Sequence, residues 1–183
     1  MTPPPIHSLA VFCGSKDGRS AIFREHAVKL GQLMAKQKVT LVYGGGNVGL
    51  MWVIADTVLA GGGNVIGVIP QVLVEWERQH QGLTELHVAE DMHSRKKMMY
   101  ERCDAAVILP GGFGTLDEMF EMITWNQLSI HDKRIFILNS GGFYDHLIFH
   151  VRRMQEEAFL YEAAYERLII LNDPAGLLPY LQA

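Results

Sequence analysis

Short apolar runs with no polar–apolar alternation recur along this chain, and helically spaced stretches separate them. This pattern constrains the fold more than any other feature. A strand with one wet face alternates in polarity, whereas a strand covered on both faces reads as a continuous apolar run. The runs are Ser8–Cys13, Thr40–Tyr43, Val65–Ile69, Glu85–Val88, Ala105–Leu109, Arg134–Leu138 and Leu168–Leu171. Helical spacing predicts helices over about Ser20–Gln37, Gly49–Ala60, Met92–Cys103, Thr115–Leu128, Tyr144–Glu157 and Ala175–Leu181. The stretch Gln71–Gly82 follows neither period. Strands of this kind, separated by helices, form a parallel sheet with helices on both faces, and right-handed crossovers wind it in both directions. The expected fold is therefore α/β, a doubly wound, mostly parallel sheet. A length of 183 residues fits a single domain over positions 1–183, with 1–6 as a flexible tail.

In such sheets ligands bind beyond the carboxyl ends of the strands. Three turns rich in glycine or small residues fall there: Cys13-Gly14-Ser15, Gly44-Gly45-Gly46 and Gly111-Gly112-Phe113-Gly114. The last belongs to the run Pro110-Gly111-Gly112-Phe113-Gly114-Thr115-Leu116-Asp117-Glu118, directly after the strand Ala105–Leu109. Its glycines let a ligand lie against bare amides. Thr115 is placed to cap the following helix, with Glu118 completing a capping box. The first-turn N–H groups and the helix dipole make an anion site suited to phosphate. Glu118 beside that site has two readings, a capping residue or a catalytic carboxylate. Asp117 projects about 100° away around the helix, so the two carboxylates are not expected to act together.

The segment Met92-His93-Ser94-Arg95-Lys96-Lys97 places three cations at a predicted helix start, where they oppose the dipole. It reads either as a solvated basic face or as a setting in which Arg95 meets a carboxylate or phosphate. Glu75 and Glu77 are surface charges unless the irregular segment folds over the pocket. His146 and His150 have i,i+4 spacing with no acidic partner motif and read as helix surface residues. No metal site is expected. Cys13 and Cys103 sit in apolar contexts and read as reduced thiols of a cytoplasmic protein. A net charge of -4 gives no electrostatic reason to expect nucleic-acid binding, and no run approaches the length of a membrane span. The helix after the glycine-rich run carries Met119, Phe120, Met122, Ile123, Trp125 and Leu128 around much of its circumference. It is either a core helix or one shared between the core and a second copy of the chain.

The run Pro110-Gly111-Gly112-x-Gly114-Thr115-x-x-Glu118 and the element Met92-His93-x-Arg95-Lys96 resemble the LONELY GUY family of cytokinin riboside 5′-monophosphate phosphoribohydrolases. Further matching stretches are Phe12–Ser15, Val42–Gly46, Gly49–Met51, Gly67–Pro70 and Ile123–Trp125. The resemblance extends from about Leu9 to Asp173. It implies a Rossmann-like fold, a homodimer, and no cofactor. It also implies hydrolysis of the N-glycosidic bond of an N6-substituted adenosine 5′-monophosphate. Arg95 and Glu118 would be the catalytic pair. Gly111, Gly112, Phe113, Gly114 and Thr115 would hold phosphate, with Ser15, Gly45 and Gly46 nearby. Glu77, Lys96 and Thr124 correspond to positions of ligand contact. Phe113 stands where Tyr is common and Asp117 where Glu is frequent, and Val74–Gly82 diverges. The label lysine decarboxylase attached to such proteins has no support here, because no lysine sits in a recognisable pyridoxal phosphate context. A general AMP nucleosidase, or a non-catalytic nucleotide carrier or sensor on the same fold, stays open at this point.

Overall fold

The computed structural model describes residues 5–74, 79–161 and 166–181. Its strands are β1 (Ser8–Phe12), β2 (Thr40–Tyr43), β3 (Val65–Pro70), β4 (Glu85–Ala89), β5 (Ala105–Ile108), β6 (Ile135–Leu138) and β7 (Leu168–Leu171). They form one 7-stranded sheet in the order β4-β3-β2-β1-β5-β6-β7. All pairings between these strands are parallel. The single antiparallel contact described outside them is the isolated bridge between Gly46 and Gln79. Strand order reverses direction at β1, whose two neighbours are β2 and β5. That is the switch point where α/β sheets of this kind open a crevice.

Alternate residues of every strand but the edge strand β4 feed two separate cores. Leu9 and Val11 of β1, Leu41 and Tyr43 of β2, and Val107 of β5 face one side. There they meet Ala27, Leu30 and Met34 of helix α1 (Ala21–Lys36) and Leu50, Val53, Ile54 and Val58 of α2 (Gly49–Ala60). On the other face Ala10, Phe12, Val42, Ala106 and Ile108 meet Met99 and Tyr100 of α4 (Met92–Glu101) and Met119 and Met122 of α5 (Phe113–Gln127). Both faces being covered is why the strands carry no alternation in sequence. A short helix, α3 (Gln71–Val74), lies inside the stretch that showed no period. Helix α6 (Asp145–Glu156) precedes β7, and a 3₁₀ turn at Pro174–Leu177 leads into a last short helix, α7 (Leu178–Leu181). Ile6, assigned above to a flexible tail, is instead buried in the core on the α1 side. The adjoining backbone is held as well: the N–H groups of His7 and Ser8 donate to the Asp104 carboxylate at 2.8 and 2.9 Å. Among the described residues no helix is long and apolar enough to cross a membrane.

The turn after β1 rests on the start of α2. The Leu50 N–H donates to the Gly14 carbonyl at 3.1 Å. Gly49, at φ +55°, passes so close that a Cβ there would lie 2.3 Å from the Ser15 carbonyl carbon. Gly62 also has a positive φ, of +75°, but open space around it. Gly62→Ala should therefore lower stability by about 1 kcal/mol through backbone strain alone. Gly49→Ala should lose roughly 1–3 kcal/mol more, because backbone has to move. Urea denaturation of both variants checks this, and equal losses would mean that the Ser15–Lys16 turn yields freely.

Candidate active site at the switch point of the sheet

At the carboxyl ends of β1 and β5 the chain makes two turns that lock together. The Gly14 N–H donates to the Pro110 carbonyl at 3.0 Å, and the Leu109 N–H to the Phe12 carbonyl at 2.9 Å. Helix α5 then begins at Phe113, with Gly112 as its N-cap and no side chain capping it. The expected capping box does not form. Thr115 sits inside the first turn, buried, with its Oγ1 packed into the space beside Gly111. A Cβ on Gly111 would lie 2.1 Å from that oxygen and 2.9 Å from the Gly14 nitrogen. The two glycines thus let the helix start two residues earlier than its polar residues suggest. The first-turn amides of a helix have no carbonyl one turn back to bond. With no side chain over them, those of α5 face the crevice as an anion site.

Glu118 lies one turn further along α5, freed from capping, and points into the sheet end. It is 8% exposed, and its partner Arg95 is 7% exposed. Arg95 comes from α4, whose first turn is capped by Asp91. The Asp91 carboxylate accepts from the Ser94 N–H at 2.7 Å. An acidic cap at this end offsets the cost of the cations that follow it. Arg95 Nη1 donates to Glu118 Oε1 at 3.0 Å, and its Nε donates to the Val68 carbonyl at the end of β3, also at 3.0 Å. Burial pushes the Glu118 carboxyl above the usual carboxylate range, and the Arg95 cation pulls in the opposite direction. Cys13, buried beside Glu118, has its thiol pushed well above the usual range by burial and by that carboxylate. Both cysteines are free and buried.

A cleft of about 280 Å³ opens over this pair. Ser15, Gly112, Phe113, Gly114, Thr115, Arg95 and Glu118 all line it, so seven of the residues singled out in the sequence converge there. Gly44, Met51, Leu73 and Met92 line it as well. Gly44 sits at a strand end, where a ligand site is expected, but the three apolar residues carry no chemical signature that a sequence could display. Gly111 supports the turn from beneath and borders an adjoining apolar hollow of about 320 Å³, formed with Phe23, Leu50 and Phe143.

Other candidates lie elsewhere. Lys96 is engaged by Asp117 at 3.0 Å and by Glu121, on the outer side of the α4–α5 contact. Thr124 is exposed, and its hydroxyl donates to the Phe120 carbonyl within α5. Gly45 packs against Ile69 and Gly46 pairs with Gln79. Glu77 and Glu75 fall outside the described residues. His146 and His150 are exposed on α6.

Residues 51–181 match the family model described as "Possible lysine decarboxylase". The cytokinin riboside 5′-monophosphate phosphoribohydrolase of Rhodococcoides fascians is 40% identical over 181 residues, covering 98% of this chain and 91% of that one. The cytokinin riboside 5′-monophosphate phosphoribohydrolase LOG3 of Arabidopsis thaliana is 41% identical over 176 residues, 96% of this chain and 81% of its own. Among solved structures, the molybdenum cofactor binding protein of Rippkaea orientalis superposes with a TM-score of 0.73. It covers 100% of this chain and 98% of its own, at 20% identity. The molybdenum cofactor carrier protein of Chlamydomonas reinhardtii superposes at 0.70 with 17% identity, over 98% of this chain and 97% of its own. At such identities these two establish the shared fold and nothing finer. The two hydrolases are alike in sequence over nearly the whole chain, and so the chain belongs to the LONELY GUY family of cytokinin riboside 5′-monophosphate phosphoribohydrolases.

Proposed function

We propose that the cleft hydrolyses the N-glycosidic bond of an N6-substituted adenosine 5′-monophosphate, giving the free base and ribose 5-phosphate. One observation carries this reading: a buried carboxylate, paired with a buried arginine, stands one helical turn from an uncapped helix N-terminus in the same cleft. A simple phosphate binder has no evident use for a carboxylate beside the anion.

The chemistry follows from that placement. The 5′-phosphate docks on the amides of Gly112–Thr115, which fixes the sugar and supplies binding energy remote from the reacting bond. The C1′–N9 bond breaks with its electron pair leaving on the base, and positive charge builds on the ribose ring. The Glu118 carboxylate stabilises that charge in a site largely withdrawn from water. Water adds to C1′, and its proton is delivered to the departing base. Arg95 holds Glu118 ionised and oriented. A nucleoside without phosphate loses the anchoring contacts and is a poor substrate.

A homodimer completes the proposal. Phe113 (93% exposed), Phe120, Leu128 and Ile130 are exposed along α5 and the turn after it, and a second copy would cover them. A cytoplasmic setting fits two buried thiols that remain unpaired.

Glu118→Gln should reduce base release from isopentenyl-AMP about a hundredfold or more in kcat. Chromatography of the free base measures it, with circular dichroism confirming a folded variant. Activity within a few-fold of the parent would remove Glu118 from the chemistry. Release from AMP at the same rate would make the enzyme a general AMP nucleosidase. Nucleotide binding with no release from any monophosphate would make it a carrier.

The pH dependence has a definite sign. Ionised Glu118 is the active form, and burial raises its pKa. The rate should therefore fall as pH drops, with an acid limb above the ordinary carboxylate range. Arg95→Gln removes the main opposing influence and should move that limb further up. The profile should be read in kcat, because the substrate's own phosphate titrates at about pH 6. An acid limb that stays in place in Arg95→Gln would dissociate Arg95 from the ionisation of Glu118.

A further inference from the structure

Arg95 reaches Glu118 along a path bounded by backbone. Its Nε is held by the Val68 carbonyl and its Nη1 by Glu118, each at 3.0 Å. Those two bonds fix the plane of the guanidinium but leave Nη2 directed at the end of β2. There it lies against Gly44. A Cβ at position 44 would stand 2.1 Å from Nη2 and 3.4 Å from Cζ, with the Met51 sulfur also at 3.4 Å. No ordinary side chain fits at 44 while the guanidinium keeps this position.

We infer that Gly44 is a positioning residue of the catalytic pair: the space left by its missing side chain is the seat into which Nη2 of the Arg95 guanidinium points end-on while Nη1 holds Glu118. The inference rests on the catalytic reading of Glu118 and extends it to a third strand end. It separates two uses of glycine in Gly44-Gly45-Gly46. Gly45 has a φ of +74°, a conformation that favours glycine in its own right. Gly44 is absent from the positive-φ glycines of the described chain. Its backbone would accept alanine, so what a side chain there disturbs is Arg95 alone. The obstacle is the tip of a flexible side chain rather than backbone, and the strand has no need to move.

The titratable groups around Glu118 come from three elements. They are Arg95 and Lys96 on α4, Tyr100 on the same helix with its hydroxyl on the Glu118 carbonyl, Asp117 on α5 itself, and Cys13 at the end of β1. Arg95 is the cation bonded directly to the carboxylate, whereas Lys96 is taken up by Asp117 and Glu121. Displacing the guanidinium leaves Glu118 nearly alone against burial, and its proton is then lost only at higher pH.

Gly44→Ala is the test. Its urea midpoint should fall no further than that of Arg95→Gln, because only the guanidinium is displaced and the strand keeps its place. Its kcat for base release should fall about 10- to 100-fold, the scale set by small misplacements of catalytic groups. KM should change less than about threefold, and the acid limb of kcat should move up. Titration of Glu118 followed by carbon-13 NMR of glutamate-labelled protein should move the same way. That readout needs no turnover, so it tests the seat even if the hydrolase reading fails for the parent. In an Arg95→Lys background, which lacks Nη2, the same alanine should add little further loss. An unchanged Glu118 titration would overturn the inference, as would a rise in KM with kcat preserved, which would make Gly44 a lining of the substrate cleft only.

Discussion

A carboxylate with 8% of its surface in reach of water has to be neutral or paired, and much of the site's arrangement follows from Glu118 being paired. Its partner cannot come from the same helix, because the residues one turn away on α5 that face inward are Thr115 and Met122, both buried. The cation comes from α4 instead, across the end of β3, where the Val68 carbonyl takes the guanidinium's Nε. Three elements are thereby tied at one point of the sheet's carboxyl edge. A buried ion pair is a weak source of stability, since desolvating two charges offsets most of their attraction, whereas removing one partner costs about 3–5 kcal/mol. A pair that adds little to the fold, yet lines the cleft beside an anion site, is better explained by chemistry.

Neighbouring residues on one turn of α5 divide the charges of the α4–α5 contact. Glu118 turns inward to Arg95, while Asp117 turns outward and, together with Glu121, engages Lys96. The adjacent cations of α4 thus take adjacent carboxylates of α5 without exchange, because the helix rotation of about 100° per residue separates them in the same sense on both helices. Lys96 and Glu121 are nearly as enclosed as the inner pair, whereas Asp117 is exposed and its pair with Lys96 is the more screened one. The Tyr100 hydroxyl, buried below, lies 3.1 Å from the Glu118 carbonyl and 3.3 Å from the Glu121 carboxylate, and its one proton, donated to either, pins that turn from the core side.

Much of this was legible in the sequence, for reasons that can be named. The strand runs were readable because double burial removes alternation, and β2 and β7 fall on their expected residues. Helix α2 does too, its end marked by Gly61-Gly62-Gly63. The convergence of Ser15, Gly112–Thr115 and Glu118 followed from the rule that strand ends carry ligand sites. What escaped was set by tertiary contact. Thr115 looked like a cap because its type favours one, but the space beside Gly111 draws its hydroxyl inward and the helix starts at Phe113. Arg95 was ambiguous between a wet face and an ion pair, since nothing local says which face of α4 meets the sheet. Ile6 joined the core through a sheet end fastened by Asp104, a residue nearly a hundred positions away. Met51, Leu73 and Met92 reach the cleft only because their helices do.

The two halves of the cleft also work against each other electrostatically, and this bears on why Arg95 is fixed so firmly. A phosphate monoester brings close to two negative charges at neutral pH. On the amides of α5 it would stand about one helical turn from Glu118, and its field would favour protonation of the carboxylate at the moment ionisation is required. The helix terminus offsets part of that charge but is bound to the backbone and cannot follow the carboxylate. An arginine free to move would swing to the phosphate, a bidentate partner that matches its planar fork. The Val68 carbonyl on Nε and the bare Gly44 backbone beside Nη2 hold the guanidinium in the plane that serves Glu118. On the proposed reading, rigidity at this arginine is therefore what would let one small cleft hold a phosphate and an ionised carboxylate together.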